Sequence, residues 1–279
     1  MKTPLVSVII RTCGRPQVLA NALKSIQAQH YPAIEVVVIE DDKNISEKYI
    51  QENFSTLNVS YHCTNHKCGR CKSGNLGLEL ARGEYLNFLD DDDILLPNHV
   101  ETLVRRLEDT HYFAAYAIAE EHQIVTSRSC PPRKHVRRRL IRYKQPYNRL
   151  LLCYMNYIPI QSIMFHRKVY DELGGFDEQM DLLEDWDLWV RYSAHYDFLY
   201  VPTVTSVYYT PYKGRQKHMR EHDMHAAMEM ALEKYQHYHM DLSAAQISRE
   251  MDYILNTFNK KGFLFYMQKI RNYLLYRDI

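Results

Sequence analysis

The stretch Tyr85-Leu-Asn-Phe-Leu-Asp90-Asp91-Asp92-Asp93 runs an apolar strand pattern straight into four consecutive carboxylates. On an extended segment alternate side chains share a face, so Asp90 and Asp92 are expected together. Unneutralised neighbours of like charge repel and push some of their pKa values upward. A hard divalent cation relieves that repulsion, because Mg2+ and Mn2+ favour carboxylate oxygens and bridge one or two of them to substrate phosphates. The competing reading is a solvated acidic turn ahead of a helix beginning near Pro97, where early acids suit the macrodipole.

The residues on either side favour a ligand site. Leu5-Val-Ser-Val-Ile-Ile10 is a β-branched run ending at the turn-prone Thr12-Cys-Gly14-Arg-Pro16, which reads as a buried strand and a loop. Val18, Leu19, Ala22, Leu23 and Ile26 then recur at helical spacing, with Pro32 just beyond. A second strand, Ile34-Glu-Val-Val-Val-Ile39, stops at Glu40-Asp41-Asp42. A strand near Val59 to Tyr61, a helix through Gly74 to Ala81, and the strand Tyr85 to Leu89 repeat the alternation. Strand, helix, strand with short connections is the parallel crossover unit. Ligands of open α/β sheets gather at the carboxyl ends of strands, and both acidic clusters lie at such ends.

Composition bounds the remainder. A chain of 279 residues with 46% hydrophobic content can hold one large α/β domain or a domain plus an appendage. Its formal charge of +1 gives no global bias toward nucleic acid. No apolar run meets the transmembrane criterion and no signal-peptide pattern opens the chain, so a cytoplasmic location is expected. Cys63, Cys68 and Cys71, with His62 and His66 beside them, have partial zinc-ligand spacing. Without a second Cys-x2-Cys pair, reduced thiols are the expectation.

Taken in order, Val6-Ser-Val-Ile-Ile10, Glu35 to Asp41, Asn75-Leu-Gly77-Leu-Glu-Leu-Ala81-Arg-Gly83-Glu84-Tyr85 and Phe88-Leu-Asp90-Asp91-Asp92-Asp93 resemble family-2 glycosyltransferases of the GT-A fold. Gly174-Gly175-Phe176-Asp177 and Leu183-Glu184-Asp185-Trp186-Asp187 look like that family's acceptor-side motifs. The resemblance covers roughly residues 4 to 210. It implies a Rossmann-like, mostly parallel sheet flanked by helices over residues 1–215, followed by a helical extension over 216–279.

The resemblance also implies roles. Asp41 matches the acid that hydrogen-bonds the donor nucleobase. A carboxylate accepts from a uracil imide N–H but finds no such donor on N3 of cytosine, which favours uridine or thymidine donors, with UDP the expected nucleotide. The other reading of Asp41 is a cap for the helix around Ser46 to Gln51. Thr12, Arg15 and Asn75 fall in donor-binding segments. Asp90 and Asp92 match the Asp-x-Asp motif, the second holding Mn2+ or Mg2+ on the donor pyrophosphate and the first contacting ribose or the water shell of the metal. Asp185 matches the catalytic base, with Glu184 and Trp186 on the acceptor side. Their alternative is to cap and fill a helix whose apolar residues pack inside.

Several positions depart from the family pattern. Arg11 and Gly14 stand where the family commonly has Pro and Asn, and Gly74 stands where it commonly has an arginine. Arg70 or Lys72 are candidates to replace that cation, and Lys213, Arg215 and His218 follow in a later loop. Two basic segments, Arg133 to Lys144 and Lys260 to Arg277, suit an anionic membrane surface, the alternative being a solvated or packed helix face. The expected activity is inverting, metal-dependent transfer of a sugar from a nucleotide diphosphate to a hydroxyl of a glycan or lipid-linked acceptor, in surface polysaccharide or glycoconjugate synthesis. The expected setting is the cytoplasm, peripheral on the inner face of the membrane, with no nucleic acid partner. A metal-dependent nucleotidyltransferase and a non-catalytic sugar-nucleotide binding protein are the alternatives. The first lacks a phosphate-cradling glycine signature near its first strand.

Overall fold

The computed structural model describes residues 3–127, 134–180, 182–213, 215–236 and 238–257. Its first half follows the alternation read from the sequence: β1 (Val6–Thr12), α1 (Pro16–Gln27), β2 (Ile34–Glu40), α2 (Glu47–Asn53), β3 (Val59–Cys63), α3 (Arg70–Leu80) and β4 (Tyr85–Asp90). β1 pairs in parallel with both β2 and β4, and β3 adds to β2. Every residue of β1 is buried. A strand covered on both faces reads as a near-continuous apolar run, as this one does.

Alternation along β1 decides what its end presents. Val6, Val8 and Ile10 join a core with Leu19 and Leu23 of α1 and with Val100 and Leu103 of α4 (His99–Glu108). Ile9 belongs to the opposite layer, with Leu78 of α3 and Leu188 of α7 (Glu184–Ser193). By the same parity Arg11 leaves on the α3 face and Thr12 on the α1 face. Close seating of α3 depends on glycine: a Cβ at Gly77 would lie 2.4 Å from Ile9 Cγ2.

The second half comprises β5 (Ile94–Leu95), β6 (Ala114–Thr126), β7 (Lys134–Leu140), α5 (Arg149–Tyr154), a 3-10 turn at Ile160–Ser162, β8 (Ile163–His166), α6 (Arg167–Leu173), α7 and β9 (Phe198–Pro211). The sheet order is β3-β2-β1-β4-β8-β6-β9-β5, with β7 on β6. β8 runs antiparallel to β4 and β6, whereas β6 and β9 are parallel. The sheet is therefore mixed, its parallel half holding the strand ends that matter for chemistry.

The basic run differs from its helical alternative. Lys134–Leu140 is an antiparallel partner of β6 with Arg137, Arg138 and Arg139 exposed. The 3-10 turn at Ile160–Ser162 leads directly into β8 at Ile163. After β9 come α8 (Arg215–Tyr235) and α9 (Ala244–Thr257). Ala231 and Ile254 enter the same core cluster as Trp186 and Trp189, so these helices extend the core over α5 and α7. The C-terminal basic stretch from Lys260 lies outside the described residues. Among the described residues no helix is long and apolar enough to cross a membrane.

Candidate active site

The ends of β1, β2 and β4 lie side by side, and each contributes carboxylates or their partners. Glu40, the last residue of β2, is fully buried. It accepts from Gly14 N–H at 2.6 Å, Ser46 N–H at 2.9 Å and the Tyr61 hydroxyl at 3.0 Å. It thereby fixes the loops after β1 and β2, and Gly14 suits its position because φ there is +63°. Asp41 turns the other way, accepting from Cys68 N–H at 2.6 Å and Gly69 N–H at 3.0 Å ahead of α3. Burial opposes its ionisation, but these N–H donors hold its carboxyl below the usual range. The acid that ties down the start of the helix near Ser46 is thus Glu40, while Asp41 orders the entry to α3 and keeps spare acceptor capacity on its two oxygens.

The four-carboxylate run does not continue as a strand. β4 ends at Asp90, and Asp93 N–H donates back to the Asp90 carbonyl at 3.0 Å, closing a turn. A turn replaces strict alternation, and three of the four carboxylates reach different partners. Asp90 receives Arg11 Nη2 at 2.7 Å. Asp91 receives the Thr12 hydroxyl at 2.6 Å, Arg15 Nε at 3.0 Å and Arg15 Nη2. Asp93 accepts from Tyr209 N–H at 3.1 Å. Lys134 Nζ donates to the Asp92 carbonyl at 2.6 Å and sits 3.8 Å from the centre of the Tyr209 ring. Burial opposes ionisation of Asp90, yet the Arg11 charge holds it below the ordinary range. Burial pushes Asp91 up to about 6 despite Thr12 and Arg15. Burial and then the charges of Asp92 and Asp90 push Asp93 well above the usual carboxylate range.

These residues fit a hard divalent cation in one particular way. Among the described residues no three His, Cys, Asp or Glu side chains form a metal cage. One or two carboxylates beside like charge suit Mg2+ or Mn2+ that completes its shell with water and substrate phosphate. Asp92 is the quartet member whose side chain takes no direct hydrogen bond among the described residues. The three cysteines have separate contacts: Cys63 with Asn65, Cys68 with Ser73, and Cys71 with the Met180 carbonyl at 2.7 Å.

The segments around Gly174 to Asp177 and Leu183 to Asp187 pack on the α3 face. Asn75 donates to the Phe176 carbonyl at 3.0 Å and accepts from Phe176 N–H at 2.7 Å, so it clamps the Gly-Gly-Phe segment. Gly175 is required there, since its Cβ would lie 2.3 Å from Asn75 Oδ1. α7 begins at a left-handed Leu183 with φ 60° and ψ 23°. Burial of the Leu183 side chain helps offset a backbone conformation unfavourable by roughly 1–2 kcal/mol. The turn presents Glu184 inward and Asp185 half-exposed. Asp185 accepts from Trp186 N–H at 2.8 Å. Burial, with the Glu184 charge second, raises its pKa above the ordinary carboxylate range, while Asn156 opposes the shift. A carboxylate poised nearer neutrality is suited to general-base work.

Sequence-predicted residues therefore gather on two walls. Thr12, Arg15, Asp41, Asp90 and Asp92 line the strand ends, and Asn75, Glu184 and Asp185 form the facing side. Trp186 does not join them: its indole is buried in the core and donates to the Leu152 carbonyl at 2.6 Å. Of the candidate replacement cations, Arg70 Nη1 lies 3.5 Å from Glu184 and Lys72 lies 3.9 Å from Glu178. Lys213 is exposed, and the Arg215 and His218 side chains lie outside the described residues. Sequence reasoning passed over Lys234 of α8. It bridges Asp177 at 2.6 Å and the fully buried Asp187 at 2.7 Å. No local motif marks it, because its partners are 57 and 47 positions away.

Comparison with known proteins identifies the family and the fold. The model of "Glycosyl transferase family 2" matches residues 7–174, ending before Glu184 and Asp185. An uncharacterized glycosyltransferase of Bacillus subtilis, YwdF, is 26% identical over 204 residues, covering 73% of each chain. A Campylobacter jejuni GalNAc(5)-diNAcBac-PP-undecaprenol beta-1,3-glucosyltransferase is 34% identical over 123 residues, 42% of this chain and 40% of that one. Among solved structures, S. aureus TarS superposes with a TM-score of 0.66 at 17% identity, over 90% of this chain and 43% of TarS. A shorter TarS, residues 1-349, in complex with UDP-GlcNAc also gives 0.66, over 92% of this chain and 74% of that one. At this identity the likeness shows the fold alone, and that fold is GT-A.

Proposed function

We propose that this chain, which belongs to glycosyl transferase family 2, is an inverting transferase that moves a sugar from UDP to a hydroxyl of a glycan or lipid-linked glycan. The observation that carries the reading is the facing of two walls. Strand ends bearing the Asp90 to Asp93 turn stand opposite a helix start bearing Asp185, and Arg11 ties the two together. A nucleotidyltransferase whose nucleophile is an already ionised phosphate would have no need of a base on that second wall.

On the donor wall, Asp41 accepts from the uracil imide N–H, and Thr12 and Arg15 hold Asp91 so that the quartet keeps its turn. TarS, which shares the fold, has been seen with UDP and UDP-GlcNAc. A divalent cation held by Asp92 with Asp90 beside it would stabilise negative charge on the departing nucleoside diphosphate. On the acceptor wall, Asp185 takes the proton of the attacking hydroxyl, Glu184 orients that end of the helix, and the Asn75 clamp sets the wall position. Attack opposite the leaving group inverts the anomeric centre, so an α-linked donor yields a β-glycoside. The name of the Campylobacter relative describes a lipid-linked acceptor. The exposed arginines of β7 suit an acidic membrane surface where such acceptors reside.

Products distinguish this reading from its alternatives. Incubation with UDP-sugars, Mn2+ and acceptor is expected to release UDP; pyrophosphate release would identify nucleotidyl transfer, and neither product would identify a binding protein. A panel of nucleotide sugars scored by thermal stabilisation names the donor, since a ligand that binds the folded state raises its melting temperature.

A further inference from the structure

Arg11 occupies the position where a family-2 chain commonly carries proline, and it is a buried guanidinium with 8% exposure. Three observations define its surroundings. Its Nη2 lies 2.7 Å from Asp90 Oδ1 and its Nη1 lies 2.9 Å from Glu184 Oε1. Its Cζ sits 5.8 Å and 5.5 Å from the ring centres of Phe88 and Phe176, within cation–π range. A Cβ at Gly74 would lie 2.6 Å from the Phe176 ring, so the glycine leaves room for the ring that packs against the guanidinium. The planar fork of arginine can satisfy two carboxylates on separate walls at once, whereas the single ammonium of lysine cannot reproduce that geometry.

We propose that Arg11 is a positioning residue that ties Asp90 to Glu184, keeps Asp90 out of direct contact with the divalent cation, and leaves Asp92 as its carboxylate ligand. This rests on the donor-metal reading above. Two consequences oppose each other. Removing the guanidinium frees Asp90 and deletes a positive charge near the metal site, so cation affinity rises. The same change unties the start of α7 from the strand ends, so turnover falls. A residue serving only as core filler would lower stability without tightening metal binding.

The test is direct Mn2+ binding with UDP present, read by electron paramagnetic resonance of free Mn2+, on wild type, Arg11→Met and the double variant Arg11→Met/Asp90→Asn. Arg11→Met is expected to bind Mn2+ about three- to tenfold more tightly, and the double variant is expected to return toward the wild-type constant. Wild-type protein that binds no Mn2+ would overturn the donor-metal reading and this assignment with it. Wild-type binding alongside an unchanged or weaker Arg11→Met constant would overturn this assignment alone. Arg11→Lys keeps the buried charge should the apolar variant fold poorly. It is expected to lose at least about tenfold in kcat with little change in donor KM, and a wild-type kcat would overturn the assignment.

Discussion

Asp185→Asn is the perturbation that separates chemistry from binding most cleanly. The amide is isosteric and its oxygen still accepts from Trp186 N–H, which the carboxylate does at 2.8 Å. What it cannot do is take a proton from an acceptor hydroxyl. A positioned base contributes about 100- to 10,000-fold, equivalent to roughly 3–5 kcal/mol of barrier. Asp185 stands on the α7 wall, and Arg11 with Glu184 lies between it and Asp90. Metal-dependent UDP binding, measured by calorimetry, is therefore expected to remain at the wild-type value while kcat for sugar transfer collapses. Stability provides an independent arm. Burial and Glu184 raise the Asp185 pKa in the folded state, so the folded protein binds more protons than the unfolded chain between the two pKa values. Stability then falls as pH rises through that window. A tenfold difference in proton affinity between the folded and unfolded chains corresponds to about 1.4 kcal/mol, and each kcal/mol to roughly 2–4 °C in Tm for a chain of this size. Asp185→Asn removes the effect, so its Tm should exceed that of wild type by a margin that is small at pH 4 and larger at pH 8. Near-normal transfer by the variant would remove Asp185 from the role of base. A margin that shrinks with rising pH would refute the electrostatic account of its environment.

Three further outcomes follow from other parts of the structure. Gly77→Ala puts a methyl 2.4 Å from Ile9 Cγ2 and should destabilise the fold by about 1–3 kcal/mol, measured by urea unfolding. Lys234→Met leaves the buried Asp187 with Arg191 and Tyr238 but without its lysine. It should lose roughly 2–3 kcal/mol and speed amide exchange along the last turns of α8, and unchanged exchange there would show that Lys234 does not anchor the helix. Reversing Arg137, Arg138 and Arg139 to Glu should abolish flotation with acidic liposomes, each exposed arginine contributing about 1 kcal/mol near such a surface; unchanged flotation would rule out β7 as the contact.

Patterns local in sequence were legible because local rules produce them. The β1 to β4 alternation follows from β-branched runs, helical periodicity and turn residues, and the structure moves those element boundaries by only a few residues. The second half was harder to read. β7 is built from arginines with low apolar content, and only pairing with β6 makes it a strand. The short β8 owes its existence to its place between β4 and β6. The candidate acids themselves stood out as strand-end clusters, but their partners did not. Nothing near Glu40 marks it as the residue that holds Gly14, Ser46 and Tyr61 together.

By itself the sequence determined that an α/β sheet would end in carboxylates at two strand ends and that a further acidic pair would open a later helix. Those features depend on periodicities of two and 3.6 residues and on turn chemistry, all of which act over a few positions. Only the tertiary structure decided how the four aspartates divide their work. The chain turns after Asp90, sending Asp90 to Arg11, Asp91 to Thr12 and Arg15, and Asp93 to Tyr209. It also joined Asp90 to Glu184 through one guanidinium, although 94 positions separate the two acids along the chain. The physical reason is that hydrogen bonds and ion pairs depend on distance in space, and no local rule encodes which distant partner the packed sheet and helices will bring within 3 Å.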